Sequence, residues 1–279
     1  MKYLDVSIVQ LKTIDGDVNG NLKHVSKLFL KNKLAIQNSH VTVLPELFAT
    51  GFLHEAIARY ATKLENSPII NYLVKTSKEY GTTIITTVPE AEKDKIYNTA
   101  VAVSEGEIIG SYRKVHLFAK FGEDRAFNRG SNLSVVNVEN VRIGLAICYD
   151  LRFPEIFRVE MMLGAEVFAI PAAWGKKRAS HWKLLIRARA LENQAYVIGA
   201  NRVGESSVVA EGFAGESIIA SSWGTVVTKL SDSLEEVRFV RLNLAFLRRV
   251  RREFPVLQDL RAKDYGGWYL SVSQPPSQH

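Results

Sequence analysis

The stretch Val141-Arg-Ile-Gly-Leu-Ala-Ile-Cys148-Tyr149-Asp150-Leu-Arg152-Phe-Pro154-Glu155 decides how the chain is read. Val141, Ile143, Leu145 and Ile147 alternate with smaller or polar residues, the two-residue period of a strand. Pro154-Glu155 then reads as the first turn of a helix, because proline lacks the N–H that a helix start leaves unpaired. Cys148, the only cysteine in 279 residues, therefore falls at a strand-to-helix turn. Such a turn lifts one side chain off the sheet and aims the backbone N–H groups that follow at whatever it attacks. A lone cysteine more often serves as a small apolar filler, since free thiols are among the most buried groups. Tyr149, Asp150 and Arg152 argue otherwise, because a filler gains nothing from polar neighbours crowded at a strand end. Cys148 is the first candidate nucleophile.

On both sides of this elbow strands and helices alternate. Upstream, the patterns predict strands over 3–11, 41–44, 82–88 and 133–138, and a hairpin of 98–103 with 108–114 around Ser-Glu-Gly-Glu. Helices are predicted over 21–37, with Leu22, Val25, Leu28, Phe29 and Ile36 on one face, and over 68–80, stopped by Gly81. Residues 115–132, rich in Gly, Phe and charge, read as irregular. Downstream come a helix over 154–163, a strand over 167–171, a helix over 180–194 and a strand over 196–201. Strands over 215–220, 225–230 and 237–243 close the pattern. The tail after Phe246 is helical at first, then polar, and is expected to be loose over 273–279. Interleaved strands and helices with added hairpins predict an α/β fold whose mixed sheets are covered by helices. With no linker, repeat or low-complexity segment, a single domain over 1–279 is expected, with 246–279 as a C-terminal extension.

Composition narrows the classes. With 47% apolar and 23% charged residues, the chain has the make-up of a soluble globular protein with a sizeable core. One cysteine excludes an internal disulfide framework, and Met1-Lys-Tyr-Leu-Asp-Val lacks the apolar run of a secretory signal, so a cytoplasmic location is expected. No apolar stretch approaches the roughly 20 residues that a bilayer requires, so no membrane association is expected. The net charge of +7 raises the question of nucleic acid, yet the basic residues are mostly dispersed. The runs Lys176-Lys177-Arg178 and Arg248-Arg249-Val-Arg251-Arg252 come with no nucleic-acid motif and fit solvated faces.

Three groups fall at strand ends: Glu46 after 41–44, Lys114 after 108–113, and Cys148 after 141–147. In α/β sheets the carboxyl ends of strands converge on the binding crevice, so a carboxylate, an ammonium and a thiol would meet there. The three segments Leu44-Pro-Glu46-Leu-Phe, Tyr112-Arg-Lys114-Val-His-Leu-Phe and Cys148-Tyr-Asp-Leu-Arg-Phe-Pro-Glu155, in this order, resemble the motifs of the nitrilase superfamily of carbon–nitrogen hydrolases. The resemblance spans nearly the whole chain. It implies a Glu46-Lys114-Cys148 triad on an α-β-β-α sandwich of two mixed sheets, paired with a second subunit into a homodimer or larger assembly. Glu123 falls where the family often has a second, positioning glutamate, with Asp124 as the alternative.

The residue types suit amide hydrolysis without metal or organic cofactor. Lys114 is expected to lower the thiol pKa, while Glu46 takes its proton. Lys114 and the Tyr149 backbone N–H would then face the tetrahedral oxyanion, Glu46 would protonate the leaving ammonia, and a thioester would remain for water to hydrolyse. Asp150 is expected to brace the elbow through backbone hydrogen bonds. Phe48, Phe153 and Trp174 suit either core or pocket wall.

The segment from Trp174 through His181, Arg189, Glu192 and Asn201 to Gly204, with Arg252-Glu-Phe-Pro255, most resembles the bacterial ω-amidase branch, whose substrates carry an amide at one end and a carboxylate at the other. The resemblance implies Arg152 as the carboxylate binder, with Tyr149, Trp174 and Arg178 lining the same pocket; Arg178 also fits a solvated basic run. Other superfamily activities share the triad, namely deaminated glutathione amidase, nitrilase and carbamoyl-amide hydrolase. A Cys-His hydrolase using His116 or His181, and a non-enzymatic anion-binding module, are the competing readings.

Overall fold

The computed structural model describes residues 1–271, so the tail expected to be loose, 273–279, lies outside the described residues. In chain order the strands are β1 (Tyr3–Gln10), β2 (Val41–Val43), β3 (Thr83–Glu92), β4 (Lys95–Ser104), β5 (Glu107–Arg113), β6 (Val135–Val138) and β7 (Val141–Leu145). They continue with β8 (Val167–Ala172), β9 (Tyr196–Asn201), β10 (Val203–Gly204), β11 (Phe213–Ala214), β12 (Ile218–Ala220), β13 (Val226–Lys229) and β14 (Glu236–Asn243). The helices are α1 (Val18–Lys31), α2 (Lys33–Gln37), α3 (His54–Tyr60), α4 (Pro68–Tyr80), α5 (Glu123–Ala126), α6 (Pro154–Met162), α7 (Ala179–Glu192), α8 (Leu244–Glu253) and α9 (Ala262–Ser271).

Two six-stranded sheets result, in the orders β14-β1-β2-β3-β4-β5 and β13-β12-β9-β8-β7-β6. Each has three parallel strands at its centre, β1-β2-β3 in one and β7-β8-β9 in the other, flanked by antiparallel neighbours. Burial on both faces explains why β8, Val-Phe-Ala-Ile-Pro-Ala, is apolar along its whole length, whereas β1 alternates from Leu4 to Ile8 around Asp5 and Ser7. On β1, Leu4, Val6 and Ile8 join Val41, Val43, Ile143, Leu145 and Ile170 in the core between the sheets. Val9 faces the other way, into the cluster formed with Val25 and Phe29 of α1 and with Ile69 and Leu73 of α4. The second sheet is covered by α6 and α7, whose Phe157, Met161, Trp182, Ile186 and Ala190 are buried against it. The layers are therefore helix, sheet, sheet, helix, as the family resemblance implies.

The differences from the predicted elements have local causes. The helix expected over 21–37 is two, because Asn32, at φ −112°, closes α1 and turns its side-chain amide onto the Leu28 carbonyl at 2.8 Å. Gly81, at φ +65°, stops α4 as predicted. The strand expected over 215–220 begins only at Ile218, because Gly215 and Glu216 both take left-handed backbone, at φ +58° and +48°. Residues 54–60 and 123–126, which carry no sequence signal for helix, form α3 and α5.

Candidate active site

The three strand ends converge. Glu46 lies just beyond β2, Lys114 directly after β5, and Cys148 three residues beyond β7. The Glu46 N–H donates to the Ala172 carbonyl at the end of β8, so the two sheets are joined at the site itself. Cys148 has φ +42°, a left-handed conformation strained for a residue with a Cβ, and it opens a short helical turn through Arg152. That is the geometry of a nucleophile elbow.

The strain is held by Asp150, which is fully buried. Its Oδ2 accepts from the Ile147 N–H at 3.0 Å and from the Tyr112 hydroxyl at 2.9 Å. Its Oδ1 accepts from the His116 N–H at 3.0 Å and lies 2.9 Å from His116 Nδ1. One carboxylate thus ties both ends of the elbow to the segment that follows β5.

Around Lys114 the polar groups are almost completely buried. Its Nζ donates to Glu46 Oε1 at 2.8 Å and to the two Glu123 oxygens at 2.6 and 2.8 Å. Glu46 Oε1 also accepts from the Asn98 amide at 2.8 Å, and Oε2 from the Ala173 N–H at 3.1 Å. Glu123 Oε2 is fixed in turn by the Phe118 N–H at 2.6 Å. Of the two acidic residues in 123–124, it is Glu123 that reaches the ammonium. Burial would drive a proton off Lys114, but Glu123 and then Glu46 outweigh it and hold the ammonium charged. Burial, with Glu46 opposing Lys114, pushes the Glu123 carboxyl up to about 7.

The expectation that Lys114 lowers the thiol pKa needs correcting. Burial and then the Glu46 charge push the Cys148 thiol well up, and Lys114 opposes them without overcoming them. The larger reason is burial, which disfavours any thiolate; the second is that Glu46 offsets the Lys114 charge that would otherwise stabilise one. The resting nucleophile is a thiol that must lose its proton as it attacks.

Over Cys148 lies a narrow cleft, lined by Phe118, Phe121, Tyr149, Arg152, Ala173, Trp174, Gly175 and Arg178. All four expected pocket residues line it. Arg152 stacks its guanidinium over Trp174, 4.8 Å from the ring centroid, and lies 3.3 Å from His181 Nδ1, with no carboxylate among these partners. Arg178 is committed to Glu211 and lies over the Phe118 ring at 5.2 Å. Trp174 is fixed by Asn201 Oδ1, which accepts its backbone N–H at 2.7 Å, and by the Arg178 carbonyl, which accepts its indole N–H at 2.7 Å. Phe48 belongs to the core, and Phe153 stacks on His116 at 3.6 Å. His116 is bound to Asp150, and neither it nor His181 lines the cleft, which removes the geometry that a Cys-His pair requires.

Asn98 and Glu211 were not apparent from the sequence, and Asn201 stood there only as part of the segment resembling the ω-amidase branch. Asn98 sits mid-strand on β4 and Glu211 in the loop before β11, where no motif marks them.

Two mixed sheets in a four-layer sandwich, with a strained cysteine beside a buried Glu-Lys-Glu cluster, define a cysteine-dependent hydrolase of carbon–nitrogen bonds. The carbon–nitrogen hydrolase family model matches residues 5–252, and the chain belongs to that family. It is 34% identical to a 2-oxoglutaramate amidase of Bacillus subtilis, over 93% of this chain and 98% of that protein. It is 32% identical to an omega-amidase of Xenopus laevis, over 95% of this chain and 98% of the relative. Among solved structures, a CN-hydrolase superfamily protein of Xanthomonas campestris superposes with a TM-score of 0.87 at 28% identity, covering 94% of this chain and 98% of that one. That structure carries an arsenic adduct in its active site. No helix among the described residues is long and apolar enough to cross a membrane.

Proposed function

We propose that the protein hydrolyses the terminal amide of a small dicarboxylate monoamide, of the 2-oxoglutaramate or succinamate type, to acid and ammonia. The observation that carries this reading is Arg152: a cation in the cleft over Cys148, braced on Trp174 and His181, with no carboxylate partner among the described residues. Relatives named 2-oxoglutaramate amidase and omega-amidase support it.

The substrate enters with its carboxylate on Arg152 and its amide carbon at Cys148. Glu46, held between Lys114, Asn98 and the Ala173 N–H, takes the thiol proton as sulfur attacks. The oxyanion is stabilised by the Lys114 ammonium and by the Tyr149 N–H, in the first turn after the elbow, where backbone donors lack helical partners. Glu46 returns its proton to the leaving ammonia, and the thioester is opened by a water that Glu46 deprotonates. Among the described residues the Glu123 side chain binds Lys114, Asn98 and the Phe118 N–H; its role is to position the ammonium. The active species is a homodimer or larger homo-oligomer.

Arg152→Lys tests the reading, because it keeps the charge and loses the planar fork that matches a carboxylate. It should lower kcat/KM for the acidic amide roughly 10- to 100-fold, the scale of one charged hydrogen bond, and affect a neutral amide of equal length far less. Equal losses on both amides would reduce Arg152 to a prop of the elbow.

A further inference from the structure

The Arg178–Glu211 pair has no part in the triad, yet it closes one wall of the acyl cleft. Both side chains are largely buried, at 16% and 9% exposure. The guanidinium lies over Phe118 and Phe121, at 5.2 and 5.5 Å from their centroids, so water does little to screen its charge. The backbone is shaped to admit the pair. Gly175 has φ −69° and ψ 149°, which any residue can adopt, but a Cβ there would collide with Glu211 Oε1 and approach Arg178 Nη2 to 2.9 Å. The loop that carries Glu211 is itself anchored, by Lys176 on Glu205 at 2.5 Å and by Ser206 on Asp15 at 2.6 Å.

We infer that Glu211 sets the charge selectivity of the acyl pocket: by neutralising Arg178, it leaves Arg152 as the single cleft cation open to a carboxylate. The pocket is thereby matched to an acyl chain with one negative charge, and it disfavours chains with two or with none. The inference rests on the reading of the substrate as an acidic amide. Without Glu211, Arg178 would be a second uncompensated cation in a poorly screened wall; without Arg178, Glu211 would be a bare carboxylate repelling the substrate.

The test is kcat/KM for a neutral, a monoacidic and a diacidic amide of one chain length. Glu211→Gln, nearly isosteric, should raise the diacidic amide roughly tenfold or more relative to the monoacidic one, the scale on which an added charge in a cleft alters capture. Arg178→Met should lower the monoacidic amide by a similar roughly tenfold factor relative to the neutral one. The double change Arg178→Met with Glu211→Leu removes both charges and should restore the wild-type order. Gly175→Ala, which displaces the pair without deleting a charge, should shift selectivity in the same direction as Glu211→Gln and serves if that variant does not fold. An unchanged charge order in Glu211→Gln, or a double variant no different from its parents, overturns the inference. A wild-type enzyme with no preference for acidic amides would instead overturn the reading on which it rests.

Discussion

At the residue scale, the chemistry turns on a thiol that its surroundings keep protonated. The Cys148 pKa lies above the ordinary thiol value, through burial and the Glu46 charge. The enzyme should therefore show no thiolate absorbance near 240 nm at neutral pH, and alkylation of free Cys148 should accelerate only in alkaline buffer. A thiolate titrating below neutrality would show instead that Lys114 dominates. Glu46→Gln removes the proton acceptor and Lys114→Ala an oxyanion donor; each should lower kcat at least about 100-fold, the usual cost of such groups. These three residues were legible in the sequence because each follows a strand end, where the topology of an α/β sheet gathers side chains. Asn98 and Glu211 were not: their partners, Glu46 and Arg178, lie 52 and 33 residues away, and no local period reports such a meeting. The direction of the thiol shift was hidden for a related reason, since it depends on burial and on Glu46 lying beside Lys114.

At the scale of elements, the junction between β9 and β10 is fastened to the loop after β1 by a buried pair. Arg202 Nη1 donates to Asp15 Oδ1 at 2.8 Å, with both side chains at most 1% exposed. Burial alone would raise the Asp15 carboxyl, but Arg202, with help from Ser206 and the Phe52 N–H, holds it below its ordinary value of 3.8. Because the folded pKa lies below the unfolded one, the pair stabilises the fold above about pH 4, and that contribution disappears as pH falls through the folded value. Asp15→Asn should cost about 3–5 kcal/mol near neutrality, the scale for stranding a buried charge, and much less in acid. Denaturant titrations at pH 7 and pH 3 check it, and a cost equal at both would place the effect in packing. The elements themselves were mostly legible, since clear periodicity marked β1 and α4. The break at Asn32 and the late start of β12 were not, because each depends on one residue's backbone angle within an otherwise continuous pattern.

At the scale of the whole molecule, the helical layer over the second sheet leaves large apolar side chains in the open. Val159, Met162 and Leu163 project from α6 and its end, and Leu184 and Leu191 lie two turns apart on α7; all are 44–65% exposed. Trp223 and Phe254 extend this surface, with ring centroids 6.0 Å apart. We propose that copies of the chain associate through this surface, since large exposed apolar patches mark interaction sites. Scattering should give at least twice the chain mass, and Leu184→Glu with Leu191→Glu should dissociate it. A fully active monomer in dilute buffer would contradict the assignment of this face.

The central claim is a covalent acyl transfer through Cys148 on an acidic amide. Rapid mixing with a short dicarboxylate monoamide, followed by acid quench and intact-mass analysis, tests it most directly. The wild-type enzyme should carry an adduct of the acyl mass on Cys148 with one ammonia released for each adduct formed, and Cys148→Ala should show neither signal. Ammonia release by Cys148→Ala at the wild-type rate, or a single wild-type turnover with no acyl adduct at any quench time, would contradict it.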